Sequence, residues 1–273
     1  MATRFSGQDI GLFTTGGIAL ASTGTQFSFE IANEKQDAGL VSRLGKNSQP
    51  VKAAGKLSVS LNSVTSGSNR VSHSNVTAFT IGGTNYLPVL KSYSLSGSYE
   101  HRMQAAIGDK YVKPQVVAKD YQIAVALDVQ NVDSYTLMNL MGGTDFTNVA
   151  KAVSITINSV VITIASNLNQ GTVKAQRYDL QELALSFDGA DPGVGAFPAA
   201  PTGTTTILEK ALNAPTTEIA FAFQNAVAGN TNGMNASGNC VFESFSFEVQ
   251  DGQLVNETYN FATYGTVTIA ASS

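Results

Sequence analysis

An all-β, mainly antiparallel fold is what this 273-residue sequence predicts. Apolar and polar residues alternate with period two through most of it, glycine-bearing dipeptides punctuate the alternating runs, and two strand-rich stretches resemble each other. Such alternation belongs to strands with one buried and one polar face. It predicts a β-rich structural unit over residues 1–273 with one or two short helices, built as one large β domain or as two smaller ones joined through a common sheet.

The first nine residues lack the continuous apolar core of a signal peptide, and residues 11–21 are broken by Thr14, Thr15, Gly16 and Gly17. No run approaches the ~18 apolar residues of a membrane span, so the expected location is the cytoplasm of the cell that makes the chain. Strands follow. Phe27 and Phe29 alternate with Ser28 and Glu30, while Leu57, Val59 and Leu61 share a face opposite Ser58, Ser60 and Asn62. Further on, Tyr93 and Leu95 alternate with Ser94 and Ser96. Tyr121, Ile123, Val125, Leu127 and Val129 oppose Gln122, Ala124, Ala126 and Asp128. These stretches define two suggested repeats, 25–65 and 91–130. They align with small gaps, and each carries a glycine just before a lysine and a Pro-Val or Pro-Gln-Val motif.

Between the paired strands, residues 32–44 and 99–107 read as loops or marginal helices. Their charges, Glu34, Lys35, Asp37 and Arg43 in one and Glu100, His101 and Arg102 in the other, mark them as weak candidate contacts with neighbouring subunits, against the plainer reading of a solvated face. Asp133 is a suitable N-cap for a helix over residues 134–141, which Gly142-Gly143 would end and whose Leu137, Leu140 and Met141 would cover a sheet. Ile155 and Ile157 begin a strand that Asn158-Ser159 turns into another over 160–164. Strands also occupy 183–187, 219–223, 245–249 and 259–269, with a helical turn or two over 207–212 before Pro215. Gly82-Gly83, Asp188-Gly189 and Asp251-Gly252 read as tight turns. Residues 189–205, with Pro192, Pro198 and Pro201, read as a long exposed loop, and the Asn- and Gly-rich 226–238 as another. Together they suggest a decoration or insertion over 189–238.

Charged residues make up 13% of the chain, against about 25% in an ordinary domain. That surface is polar without being ionic, as in proteins covered by copies of themselves and also in secreted β proteins. A net charge of −4 argues against a DNA clamp, which needs clustered Lys and Arg, but suits the wall of a passage through which a polyanion moves. Cys240 is the only cysteine, so no intramolecular disulfide forms, and a buried thiol is expected. His73 and His101 have no partner at ligand spacing and read as surface residues, so no zinc site is predicted. Neither a nucleophile elbow nor a phosphate-binding loop is present. Glu243 and Glu248 read as polar-face positions, and Asp188, Asp191 and Asp251 as turn residues. No catalytic residue, cofactor or metal is predicted.

Leu87-Pro88-Val89-Leu90-Lys91-Ser92-Tyr93-Ser94-Leu95-Ser96, then Ala106-Ile107-Gly108-Asp109-Lys110-Tyr111, then the alternating run over 121–129, resemble bacteriophage tail tube proteins. The similarity spans roughly residues 25–130. It implies a sandwich or barrel of tail-tube type whose sheets join side by side into a ring around a channel, with rings stacked head to tail. It also implies a virion structural protein without catalysis, assembled in the host bacterial cytoplasm. The partners implied are further copies of the chain, as a hexamer or a pseudo-hexameric trimer, the sheath, baseplate and tail terminator proteins, and DNA passing through the lumen without sequence-specific binding. Two alternatives remain open: a capsid decoration or baseplate component, and a secreted adhesin or carbohydrate-binding module. The absence of tryptophan weighs against the last.

Overall fold

The computed structural model describes residues 12–15, 18–19, 24–38, 47–63, 69–104, 113–128, 150–174, 182–197, 203–224 and 234–271. The fold is all-β and antiparallel. Its strands are β1 (Leu12–Thr15), β2 (Ile18–Ala19), β3 (Gly24–Ala38), β4 (Asn47–Asn62), β5 (Val76–Ile81), β6 (Thr84–Asn85), β7 (Leu90–Gln104) and β8 (Lys113–Asp128). They continue with β9 (Ala150–Ile157), β10 (Val160–Lys174), β11 (Glu182–Ala196), β12 (Ile219–Gln224), β13 (Met234–Gln250) and β14 (Asn256–Ala271), and among the described residues one α-helix, α1 (Thr205–Asn213), precedes β12. All belong to one 14-stranded sheet.

Two sets of seven strands make up that sheet, with the same internal order. One runs β2-β1-β12-β13-β14-β4-β3 and the other β6-β5-β9-β10-β11-β8-β7. The registers coincide as well. In the hairpin β3–β4, Gly24 lies opposite Leu61, Phe29 opposite Leu57 and Ala38 opposite Asn47. In β7–β8, Leu90 lies opposite Leu127, Leu95 opposite Ile123 and Gln104 opposite Lys113, each residue standing 66 positions later. Both register shifts recur at that spacing, Gly24/Gln26 as Leu90/Ser92 and Glu34/Lys35 as Glu100/His101. In β10–β11, Ser166 faces Gly189 and Lys174 faces Glu182. In β13–β14, Cys240 faces Thr263 and Glu248 faces Asn256, a spacing of 74 positions. The short strands follow suit, since Phe13 opposite Phe223 corresponds to Phe79 opposite Ile155. The second set, residues 76–196, lies entirely between β4 and β12 of the first.

The two sets meet where β7 pairs with β13, Ser92 opposite Gln250 through Ser98 opposite Ser244. Eight strands therefore form a continuous run, β3-β4-β14-β13-β7-β8-β11-β10. Each set also folds over on itself. Phe27 of β3 stacks on Phe223 of β12 at 4.3 Å between ring centroids, and Tyr93 of β7 meets Phe79 of β5 edge-on at 5.8 Å. This gives a sandwich-like enclosure around the apolar strand faces, where Leu57, Val59, Leu61, Leu95, Ile123, Val125, Leu127, Leu183, Leu185, Phe187, Phe245 and Phe247 are all buried. Each such side chain contributes about 1.5–3 kcal/mol.

Several expectations are corrected. Residues 32–38 and 99–104 are not loops or helices but the outer arms of β3 and β7. The repeats need no gaps between 24–62 and 90–128, so Pro50 stands where Val116 stands rather than at Pro114. The stretch 189–238, within the described residues, is no projection: it supplies the end of β11, α1, β12 and the start of β13. Pro192 sits in β11 opposite Ile164. Among the described residues β8 pairs with β11 only as far as Gly189, so Pro192 stands where the strand has a neighbour on one side, the edge setting in which proline is tolerated. Asp188-Gly189 is no turn either; a Cβ on Gly189 would stand 2.8 Å from Tyr121 Cβ, so glycine serves close approach of β8 and β11.

Other expectations stand as read. Asn158 and Ser159 take φ of 47° and 66° in the β9–β10 turn, and Gly82, Gly83 and Gly252 are also left-handed. The turn before Pro215 is the nine-residue α1, which buries Ile207, Leu208, Ala211 and Leu212. The helix expected over 134–141 lies outside the described residues, as does Arg43.

Candidate functional site

Among the described side chains, buried and outward positions alternate in phase along the eight-stranded run, so one face packs inward and the other presents a wall of polar and small residues. That wall is made of small residues: Ser92, Ser94, Ser96 and Ser98 on β7, Ala124 and Ala126 on β8, Ala184 and Ser186 on β11, Thr258 and Asn260 on β14, and Ser58 and Ser60 on β4. The sheet is concave there. Gln170 and Thr172 of β10 line the same depression, of about 580 Å³, as Glu248 and Gln250 of β13, although three strands separate them.

Side chains lock part of this wall. Ser58 Oγ donates to Asn260 Oδ1 at 2.7 Å, Asn260 Nδ2 donates to Ser244 Oγ at 2.8 Å, and the Ser60 and Thr258 hydroxyls lie 3.1 Å apart. The ladder crosses β4, β14 and β13. In the second set Ala124 and Ala126 occupy the positions of Ser58 and Ser60, and the depression opens instead.

The ionic residues of the wall are mostly acidic. Glu30, Asp120, Asp128, Glu182, Asp188 and Glu248 take outward positions, against Lys56 and, by register, Lys174, which stands opposite Glu182. Lys91 at the rim pairs with Glu182. Among the described residues the arginine that continues the outward alternation of β7 is exposed Arg102, farther out beyond the register shift at Glu100/His101.

The expected contact residues separate from this wall. Glu34, Lys35 and Asp37 fall on the outer arm of β3, and Glu100, His101 and Arg102 on that of β7, with Glu34 and Glu100 at matching register positions. Glu100 and Arg102 are exposed. His101 is half-buried, and burial holds its pKa below the usual histidine value, partly offset by Glu243 and a hydrogen bond with the Phe242 backbone. His73 is also half-buried, with Nδ1 3.4 Å from the Asp251 carboxylate, so neither histidine is the plain surface residue expected.

A buried polar cluster escaped sequence reasoning. Glu257 is 1% exposed; it accepts hydrogen bonds from Thr204 Oγ1 at 2.9 Å and Tyr259 OH at 2.8 Å, while Ser63 Oγ lies 3.3 Å from Thr204 Oγ1. Burial raises the Glu257 pKa, and hydrogen bonds from Ser63, Tyr259 and Thr204 oppose that shift. The only trace in the sequence is an acidic residue at the core phase of β14, between Val255 and Tyr259. Enclosed this way, the carboxyl group ties strand ends together rather than facing a substrate. Cys240 is the buried thiol expected: Sγ donates to the Ile219 carbonyl at 3.3 Å, and burial pushes its pKa up to about 12. Among the described residues no three His, Cys, Asp or Glu side chains gather as metal ligands, and no helix is long and apolar enough to cross a membrane.

The chain matches no protein-family model and no curated protein sequence.

Proposed function

We propose that this chain is a structural subunit of a phage tail tube: copies close into rings, rings stack, and the polar wall of the eight-stranded run lines the channel. The observation that carries this reading is the concave wall itself. Among the described residues it combines small hydroxyl and methyl side chains with an excess of carboxylates over cations. Like charge disfavours adhesion of DNA phosphates, and the absence of clustered cations removes the counterion release that drives DNA binding. Such a surface lets a polyanion pass without holding it. With two seven-strand sets per chain, three chains supply a ring of six units, and sheath, baseplate and terminator proteins would meet the outer and end surfaces.

Negative-stain electron microscopy of the purified protein tests this. Rings or tubes with an open lumen are expected. Particles that remain monomeric under all assembly-promoting conditions, including in the presence of the other tail proteins, refute it.

A further inference from the structure

We infer that copies of this chain join head to tail by pairing the outer edge of β3 in one copy with the free edge of β10 in the next, in the register of the internal β7–β13 joint. This deepens the proposed assembly role, but it rests on separate observations. β13 carries β12 along its first half and β7 along its second half on the same edge. Its counterpart β10 carries β9 only through Asn167, and among the described residues no strand lies on that edge beyond it. Among the described residues β3, the counterpart of β7, pairs only with β4. The chain thus makes one joint of this kind and presents both halves of a second.

Correspondence between the sets fixes the register. Ser98 opposite Ser244 becomes Ala32 opposite Gln170, Gly97 opposite Phe245 becomes Ile31 opposite Gly171, and Leu95 opposite Phe247 becomes Phe29 opposite Val173. Two features fit this pairing. Val173 is 43% exposed, whereas its counterpart Phe247 is 1% exposed beneath β7, so the next copy's β3 would cover an apolar residue left bare on an edge strand. Bulk also alternates along the row through the joint. It reads Phe245, Gly97, Tyr121, Gly189 across the internal joint, and Gly171, Ile31, Gly55, Thr263 across the inferred one. Glycine and a larger residue exchange strands at each step, so facing positions never carry two large side chains. A head-to-tail interface repeated this way closes into a ring when its rotation allows, and otherwise extends as a filament.

The test is cross-linking of a Glu30→Cys/Thr172→Cys double variant, positions placed opposite each other in this register. A short bis-maleimide tolerates either kind of antiparallel pair, and buried Cys240, its thiol held protonated, stays inert. A ladder of covalent multimers is expected, absent from either single variant. Ser96→Cys/Ser246→Cys, the internal counterpart, should link within one chain. As a second arm, Gly171→Phe should reduce assembly about tenfold through overpacking, with Ile31→Gly restoring it in the double variant. Assembled particles without a ladder overturn this pairing and leave the assembly role standing. A parent chain that stays monomeric in every condition overturns both.

Discussion

Replacing Gly97 with alanine probes the joint between the two sets. A Cβ at this position would fall well inside 3.0 Å of Phe245 Cε1 and stand 3.0 Å from both Cδ1 and Cζ. Carbon atoms settle about 3.5–4.0 Å apart, so the ring has to shift. It has little room: Phe245 is 2% exposed, and its ring lies 6.3 Å from that of Tyr99 and 6.4 Å from that of Tyr121. Two effects compete. Removing a glycine from a strand stabilises by roughly 0.5–1 kcal/mol, chiefly by restricting the unfolded chain. Overpacking a filled core costs about 1–3 kcal/mol. The second wins, for a net loss of about 1–2 kcal/mol, read as a lower urea midpoint at unchanged slope. The Phe245→Leu background removes the ring edge that the new methyl strikes, so Gly97→Ala should cost at least ~1 kcal/mol less there. Refutation would be an alanine variant as stable as the parent, or a cost that is the same with and without the ring.

Two further perturbations address the interior. Glu257 has a folded-state pKa above its unfolded value, so folding favours its protonated form. Stability should therefore fall as pH rises from the unfolded carboxylate pKa through the raised folded one, by at most about 1.4 kcal/mol per pH unit, and level off above that window. Glu257→Gln, which removes the titrating proton and keeps one of the two acceptor oxygens, should flatten this slope in denaturation curves across pH; an unchanged slope would assign the dependence elsewhere. Tyr99 OH donates to the carbonyl of Ala211 in α1, and both groups are buried. Tyr99→Phe leaves that carbonyl without its donor and should cost about 1–3 kcal/mol, with hydrogen exchange in α1 rising more than in β8.

The strands along β4, β8, β11 and β14 were legible because each has one buried and one polar face, and that contrast is what period-two reading detects. The outer arms of β3 and β7 were not. Glu34, Lys35, Glu100, His101 and Arg102 leave no apolar phase to follow, so these arms read as loops although the hairpins continue through them. Pro192 misled for a related reason: proline excludes a central strand, but among the described residues the end of β11 has a neighbour on one side only. The concave wall was visible residue by residue as polar positions, yet its continuity depends on β13 meeting β7, a pairing between segments about 150 residues apart that no local pattern encodes. The second half of the repetition stayed hidden because the matched positions differ in chemistry, Cys240 against Ser166 and Glu257 against Leu183, while register alone preserves the match.

That last substitution explains where the buried acid belongs. Leu183 and Glu257 occupy corresponding positions and are equally enclosed, yet one is apolar and the other ionisable. Their surroundings differ in one respect: beside Glu257 the chain leaves the first set after β4 and returns to it before α1. Ser63 comes from the departing segment and Thr204 from the returning one. The backbone there is bonded as well, with Ser63 N donating to Val255 O, Val255 N to Val71 O and Val71 N to Ser63 O, each at 2.8 Å. A leucine at this position would pack but could not bind both hydroxyl-bearing crossings. Burying an acid is costly in itself, and hydrogen bonds from the two crossings are what make the cost tolerable. The cluster therefore ties the point where the chain leaves the first set to the point where it returns.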